Sequence, residues 1–480
     1  MTETHEVTEF EVGDTLDLTP DAVAHGGSFV ARAGGRVFFV RHTAIGETVL
    51  AKITGTGPKK RFFFADAIGV KTPSEHRREH PWPLADAGLR ENPVGGMEFG
   101  HLTPQYQREL KAQVIREQLV RLGKVSENSA LLKLLRVEAL EPSDLGWRTR
   151  VYFNVADGKI SMFRHSSSER VQVQDFPLAD SRINSLQLHR LNLENIKRVD
   201  VAVSSTGQVL VSFAVVAPAT PRQVADDVEK QCEQLWGNLK KQNISLVFAA
   251  ERKGGRRRGE RPESAVRGAG FTELTEELSV GDESLEWNVS AGGFWQIHPS
   301  APEALTAAVA EMADLNAGET VYDLYAGTGL FTAVAAAEVG GKGRVLSVEG
   351  SPLTSANARD NFVSGRARLA DSKDTVIDVV KSDVGAHLHK LVSQVQAGKS
   401  PAPDAVIMDP SREGVGKKVI ESLTALAPKR IVYVACDPAA LGRDTGYLRE
   451  HGWELKDVQA FDMYPNTHHV ETVALFAHPE

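Results

Sequence analysis

A strand, a glycine turn and a helix, followed at a set distance by an acid, constrain this chain more than any other stretch. Val321-Tyr322-Asp323-Leu324-Tyr325 reads as a buried strand, Ala326-Gly327-Thr328-Gly329 as a tight turn, and the Ala-rich run after it as a helix. Arg344-Val345-Leu346-Ser347-Val348-Glu349 is a second strand, and its last residue lies 22 positions past Gly327. An acid about 20 residues beyond such a turn hydrogen-bonds ribose hydroxyls in nucleotide-binding folds. Ala405-Val406-Ile407-Met408-Asp409 and Arg430-Ile431-Val432-Tyr433-Val434-Ala435 are further buried strands. Strands alternating with helices predict a doubly wound, Rossmann-like α/β domain over 291–480. Its ligands should bind beyond the carboxyl ends of the strands. Tyr325, Gly327, Glu349, Asp409 and Cys436 all fall at such ends. The turn lacks the third glycine that a dinucleotide pyrophosphate needs. It therefore points to a nucleoside cofactor without phosphates, namely S-adenosylmethionine. The competing reading is a turn that merely needs small residues.

At about 150 residues per domain, 480 residues suggest roughly three domains. Residues 8–72 read as short strands. Phe29-Val30-Ala31-Arg32 and Val37-Phe38-Phe39-Val40-Arg41 flank the turn signal Gly34-Gly35, and the pattern predicts a small all-β barrel. Lys52, Lys59, Lys60 and Arg61 sit among aromatics there, as on single-strand RNA binders or on a solvated barrel edge. Residues 73–103 read as a linker. From 104 to 290 the pattern predicts a central β-rich α+β domain. It opens with a helix capped by Thr103, with Leu110, Val114, Leu119 and Leu122 at helical spacing. Asp157-Gly158 marks a hairpin, and a second helix is expected between 221 and 240. The segment 251–268 carries Arg252, Lys253, Arg256, Arg257, Arg258, Arg261 and Arg267, and reads as a mobile basic loop suited to an anionic partner.

Net charge is −8, so a uniformly basic nucleic-acid coat is ruled out while a local basic surface is not. Residues 291–480 hold 17 Lys plus Arg against 24 Asp plus Glu, which places nearly all of the excess acid in the Rossmann-like part. No secretory signal and no run of about 18 apolar residues is seen, so no membrane span is expected and a cytoplasmic location is. With only Cys232 and Cys436, a disulfide framework, a Cys-rich zinc site and an iron–sulfur cluster are excluded, and no metal site is predicted. Cys232 falls on the apolar stripe Val224, Val228, Cys232, Leu235 and Leu239, where a thiol behaves as a small hydrophobe.

Cys436 instead follows a strand directly, at the ligand rim. Carbon 5 of a pyrimidine is a poor nucleophile in neutral water. A thiolate added to carbon 6 makes carbon 5 enolate-like, able to attack a sulfonium methyl. A base must then remove the hydrogen at carbon 5. Glu471 interrupts the apolar run of His468-His469-Val470-Glu471-Thr472-Val473-Ala474-Leu475-Phe476, where burial should raise its pKa. It could equally be a salt-bridged strand terminus. His468 and His469 suit structure or substrate contact better than metal ligation, since no third ligand is spaced to join them.

Together these residues resemble the uracil-carbon-5 RNA methyltransferases, an S-adenosylmethionine-dependent family that makes 5-methyluridine in transfer RNA and 23S ribosomal RNA. Phe294-Trp295-Gln296 resembles the Phe-x-Gln motif, which implies cofactor contact by Gln296. Asp323 to Gly329 resembles the first methyltransferase motif, implying cofactor binding by Tyr325, Gly327 and Gly329, and Glu349 resembles its ribose acid. Asp409-Pro410-Ser411-Arg412 resembles Asp-Pro-Pro-Arg, which puts Asp409 between cofactor and uracil. Ala435-Cys436-Asp437-Pro438 resembles Ser-Cys-Asn-Pro, the nucleophile motif. Met463 to Val473 is a long match to the segment of the general base, here Glu471. The N-terminal region resembles a TRAM domain, an RNA-binding OB-like barrel. Ser411 replaces a proline, Asp437 replaces an asparagine beside the nucleophile, and residues 73–101 lack the cluster cysteines of several relatives. The resemblance implies a monomeric RNA (uracil-5-)-methyltransferase that acts on ribosomal or transfer RNA through a covalent Cys436 adduct. Its rivals are a cytosine-carbon-5 methyltransferase and a noncatalytic RNA-binding protein that retains the fold.

Overall fold

A computed structural model describes residues 9–90, 93–165, 167–251, 264–280 and 283–479. The predicted N-terminal strands form a six-stranded mixed sheet in the order Thr15–Leu18, Thr48–Thr56, Phe62–Thr72, Arg36–Arg41, Phe29–Ala33, Ala22–Val23. Gly34 and Gly35, both at positive φ (53° and 71°), turn the chain between paired Ala33 and Arg36. Alternation along the strands buries Leu18, Phe38, Val40, Val49, Ile53 and Phe63 in one core.

A seven-stranded sheet follows, in the order Arg170–Gln172, Lys159–Phe163, Arg150–Ala156, Ile196–Val203, Val209–Val215, Ile244–Ala250, Ser264–Gly268. Val209–Val215 and Ile244–Ala250 run parallel, joined over one face by the helix Pro221–Trp236. That helix starts on a capping box between Thr220 and Gln223, and its Val224, Val228 and Cys232 lie in the sheet's core. It stops four residues short of the expected end, yet Leu239 is still buried. The basic stretch Arg252–Arg261 lies outside the described residues. Arg267, expected in that loop, is instead in the strand Ser264–Gly268 and pairs with Asp226 (2.8 Å) and Glu229 (3.3 Å).

The third sheet has eight strands in the order Val376–Lys381, Arg344–Glu349, Thr320–Leu324, Ala405–Met408, Arg430–Ala435, Glu471–Ala477, Glu454–Asp462, Val137–Ala139. The first five are parallel with helices between them, as the strand–helix alternation predicts. Glu471–Ala477 then inserts antiparallel. Two departures concern the domain boundaries. Val137–Ala139 pairs with Glu454–Asp462 and so joins the C-terminal sheet, although the stretch was expected in the central domain. The hairpin Glu273–Val280/Glu283–Ser290 also turns Leu278, Leu285, Trp287 and Val289 into the C-terminal core. Hydrophobic periodicity finds the elements but not which core they enter.

The helix Pro104–Arg121 shows how closely these parts are built together. Thr103 is its N-cap residue but makes no side-chain capping bond. Leu110 and Leu119 are buried as expected, and so are the polar Gln107, Lys111 and Gln118. The helix lies against Pro438–Glu450, where a Cβ on Gly442 would come within 2.6 Å of the Gln118 carbonyl and one on Gly446 within 2.7 Å of the Leu122 carbonyl. Glycine at both positions lets the backbones approach this closely. Lys111 Nζ donates to Asp462 Oδ1 (2.6 Å) and to the Tyr464 carbonyl (3.0 Å), fully out of water. Among the described residues no helix is long and apolar enough to cross a membrane.

Removing one partner of that buried pair leaves an uncompensated charge. Lys111→Ala should lower stability by about 3–5 kcal/mol in chemical denaturation, while Lys111→Met combined with Asp462→Leu should recover most of the loss.

Candidate active site

The residues singled out in the sequence converge at the carboxyl end of the parallel strands. The strand Thr320–Leu324 ends at Tyr325, which takes a left-handed conformation (φ 62°), and Gly327 and Gly329 follow at 56° and 92°. Gly329 could carry no side chain, because a Cβ there would meet the Phe362 ring at 2.5 Å. The helix Leu330–Val339 begins directly after it. Glu349 closes the turn from the next strand. Its Oε2 accepts from Gly327 N–H (2.9 Å) and its Oε1 from Ser351 N–H (2.5 Å). Both oxygens are thus oriented by backbone donors and keep further acceptor capacity for a ligand's hydroxyls.

Strand register brings the thiol and the second carboxylate together. Arg430–Ala435 and Glu471–Ala477 are antiparallel, with Ala435 opposite Thr472. Continuing that register by one residue sets Cys436 across from Glu471. The Thr472 hydroxyl donates to the Ala435 carbonyl at 2.9 Å and secures the end of the pair. Cys436 and Glu471 line a single cavity of about 610 Å³ together with Gln296, Tyr325, Gly327, Glu349 and Asp409. Gly329 is the one proposed site residue outside this lining; it shapes the turn. The loop with Phe294 and Gln296 is tied to the central sheet. Thr149 donates to the Ile297 carbonyl (2.9 Å), and Arg150 donates to the Gly293 carbonyl (3.2 Å).

The electrostatics of this cavity are those of carboxyls held away from water. Burial pushes Asp323 up to about 7, against the hydrogen bond it accepts from Thr332. Burial, with Asp323 and Glu349 nearby, pushes Asp409 up to about 7. Burial and then Asp409 drive Glu471 well above the carboxylate range, opposed by a hydrogen bond from the Tyr464 hydroxyl (3.2 Å) and by Arg412. The other Glu471 oxygen, Oε1, is buried with no protein partner. Burial, then Glu471 and Asp409, push the Cys436 thiol up to about 12, while Arg412 pulls it down.

Three contributors carry no role in the sequence reading, although each lies inside a motif it quotes. Tyr464 and Arg412 line the cavity, and Asp323 sits beneath it. The sequence assigns neither Tyr464 nor Arg412 a role of its own, and only their positions in the cavity reveal them. His469 also lines the cavity, and burial followed by His468 holds its pKa down to about 3, so its imidazole is neutral. Among the described residues no cluster of three or more His, Cys, Asp or Glu could hold a metal ion.

A family model described as tRNA (Uracil-5-)-methyltransferase matches residues 145–478. A protein of Streptomyces avermitilis named as an uncharacterized RNA methyltransferase is 33% identical, over 97% of this chain and 98% of that one. One from Streptomyces coelicolor with a similar name is also 33% identical, over 97% of this chain and 93% of its own length. Among solved structures, Pyrococcus abyssi tRNA (uracil-54, C5)-methyltransferase in complex with S-adenosyl-L-homocysteine superposes with a TM-score of 0.65 at 18% identity. It covers 96% of this chain and 99% of the archaeal one, which establishes a shared fold.

The Asp409 shift predicts a differential pH dependence. A carboxyl whose folded pKa lies above its unfolded value makes the folded state bind more protons between the two, so its contribution to stability falls as pH rises from about 4 to about 7. Asp409→Asn should therefore gain stability relative to the unmodified protein between pH 5 and pH 8, read from paired thermal melts.

Proposed function

Since the chain belongs to the tRNA (uracil-5-)-methyltransferase family, we propose that it methylates carbon 5 of one uridine in a folded RNA, with Cys436 as nucleophile and Glu471 as base. At the coarser level it is an S-adenosylmethionine-dependent RNA methyltransferase. The observation that carries the finer reading is that Cys436 and Glu471, each adjoining the paired residues Ala435 and Thr472, line the one cavity that also holds the glycine turn and Glu349.

The residues present fit the cofactor. A cavity of about 610 Å³ is of ligand size, and the Glu349 carboxylate is already oriented at the Gly327 turn. Gln296, Tyr325, Gly327, Glu349 and Asp409 would hold S-adenosylmethionine, with Gly329 shaping the turn. When bound it supplies an electrophilic methyl group and leaves as a neutral thioether.

The uridine must leave its stack to reach this depth. The Cys436 thiol loses its proton to solvent, and the sulfur bonds to carbon 6 as the electrons of the carbon 5–carbon 6 double bond move toward carbon 5 and the O4 carbonyl. Carbon 5 takes the methyl group. Glu471 then removes the hydrogen at carbon 5. The electrons of that bond restore the double bond, and the sulfur–carbon 6 bond breaks to return the thiolate. A carboxylate whose pKa is raised is a stronger base than an exposed one, which suits this proton removal. Burial and the neighbouring carboxyls favour the protonated form of both groups. Arg412 favours the ionised form of each, and is the cation that would ease their deprotonation.

Cys436→Ala should abolish both methyl transfer and adduct formation. Glu471→Gln should slow turnover by roughly 10²–10⁴-fold and leave a covalent protein–RNA species on denaturing gels; normal turnover would remove Glu471 from the role. Sequencing the RNA in that adduct separates a transfer RNA target from 23S ribosomal RNA. Nucleoside mass spectrometry of a deletion strain should show loss of 5-methyluridine; loss of 5-methylcytidine, or no change, would overturn the reading.

Losing the Glu349 carboxylate removes charged hydrogen bonds, so Glu349→Ala should weaken S-adenosylhomocysteine binding by about tenfold or more in calorimetry.

A further inference from the structure

A loop of the N-terminal sheet reaches the residue next to the proposed nucleophile. The turn Ala24–Ser28 joins the strands Ala22–Val23 and Phe29–Ala33 and contains Gly26 and Gly27 at positive φ (88° and 82°). It lies so close to the catalytic segment that a Cβ on Gly27 would be 3.0 Å from His468 Cβ. From this turn His25 Nε2–H donates to Asp437 Oδ2 at 2.8 Å. The other oxygen of Asp437 accepts from Ala440 N–H at 2.8 Å and caps the helix Pro438–Glu450. The carboxylate is thus gripped from two sides. A small enclosed cavity of about 20 Å³ lies behind Cys436, walled by His25, Gly27, Lys111, Asp437 and His469.

Asp437 poses a problem that His25 answers. A negative charge one residue from a thiol opposes thiolate formation, and Asp437 acts on Cys436 in that direction. We propose that His25 is a positioning residue for Cys436: from the N-terminal sheet it holds the Asp437 carboxylate on the helix N-terminus and offsets its charge, so that nucleophile activation depends on the docking of that sheet. This rests on the reading of Cys436 as nucleophile.

The charged groups around His25 are few. Asp437 faces it from the catalytic loop, and Glu117 and Arg121 from the helix Pro104–Arg121. The hydrogen bond that His25 donates to Asp437 raises the imidazole's pKa above its ordinary value against the cost of burial. Burial raises the Asp437 carboxyl, but the bonds from His25 and Ala440 outweigh it and hold the group ionised. The imidazolium therefore offsets Asp437 most fully below the imidazole's raised pKa, and the offset fades as pH rises past it.

The test needs no RNA. Alkylation of Cys436 by iodoacetamide is followed in the full-length protein by peptide mass spectrometry from pH 6 to pH 9, with the fully buried Cys232 as an internal unreactive reference. His25→Ala should slow alkylation on the order of three- to tenfold near pH 7, with the difference shrinking toward pH 9. In an Asp437→Asn background the same substitution should change the rate by less than about twofold. His25→Gln keeps a hydrogen-bond donor without the charge, and should lose the pH-dependent part alone. Circular dichroism confirms that each variant is folded. Equal effects of His25→Ala in both backgrounds, or no effect in the native one, would overturn the proposal. So would a His25→Gln protein that matches the native profile at every pH, and this variant carries the test if His25→Ala does not fold. Methyl transfer is not read, so coupling seen together with a fully active Cys436→Ala protein would sink the nucleophile reading while leaving the contact established.

Discussion

Three carboxyl groups gathered at one end of a parallel sheet, Asp323 and Glu471 fully buried and Asp409 half-buried, are the constraint on which the rest of this structure depends. Asp323, Asp409 and Glu471 are each pushed toward the neutral form by burial, and Asp409 is pushed further by Asp323 and Glu349. Such groups are tolerated only where the frame is rigid. Thr332 holds Asp323, the Tyr464 hydroxyl holds Glu471, and two backbone N–H groups hold Glu349. The reward is chemical. A carboxyl with a raised pKa is a useful proton acceptor near neutrality, and the exposed Arg412 at the cavity wall favours the ionised forms of Cys436 and Glu471.

The frame draws on segments far apart in the chain. The loop with Tyr464 and Glu471 is anchored by Asn466, whose side chain receives hydrogen bonds from Arg78 (2.6 Å) and Gln107 (3.1 Å) and donates to the Asp144 carbonyl (2.7 Å). One asparagine thus joins the linker, the helix Pro104–Arg121 and the start of the central sheet to the loop before the proposed base. The Lys111–Asp462 pair adds a second tie from the same helix. This is why residues 104–139 pack with the C-terminal sheet and not with the central one. The N-terminal sheet adds a third approach at His25. A site assembled from so many segments keeps its geometry only while all of them are docked, which links folding of the whole chain to the precision of one cavity.

Much of the fold was legible because it rests on local patterns. Strands such as Phe29–Ala33, Arg36–Arg41, Thr320–Leu324, Arg344–Glu349, Ala405–Met408 and Arg430–Ala435, and the helices over 104–121 and 221–236, follow from alternation, helical spacing and glycine turns, whereas Ser264–Gly268 was read as loop. Cys232 was readable as core from its stripe alone. Boundaries between cores were not readable, because the hairpin Glu273–Ser290 shows the same alternation whichever core receives it. Polar residues that pack inside, such as Gln107 and Lys111, were missed because their partners Asn466 and Asp462 lie hundreds of residues away. Thr103 looked like a cap by type and position, but its hydroxyl is not used as one.

By itself the sequence determined the identity of the chemical groups and their attachment to strand ends: a thiol after one strand, acids after two others, a carboxyl at the start of a fourth, and a glycine turn between the first strand and its helix. Those are local facts, set by residue type and by periods of two and 3.6 residues. Only the tertiary structure decided that Cys436 and Glu471 share one cavity, since that needs an antiparallel pairing of strands that lie well apart in the chain. Only the tertiary structure put Tyr464, Arg412 and His25 around them. The pKa values are likewise its product, because burial and neighbouring charge exist only once distant segments have closed over the same cavity.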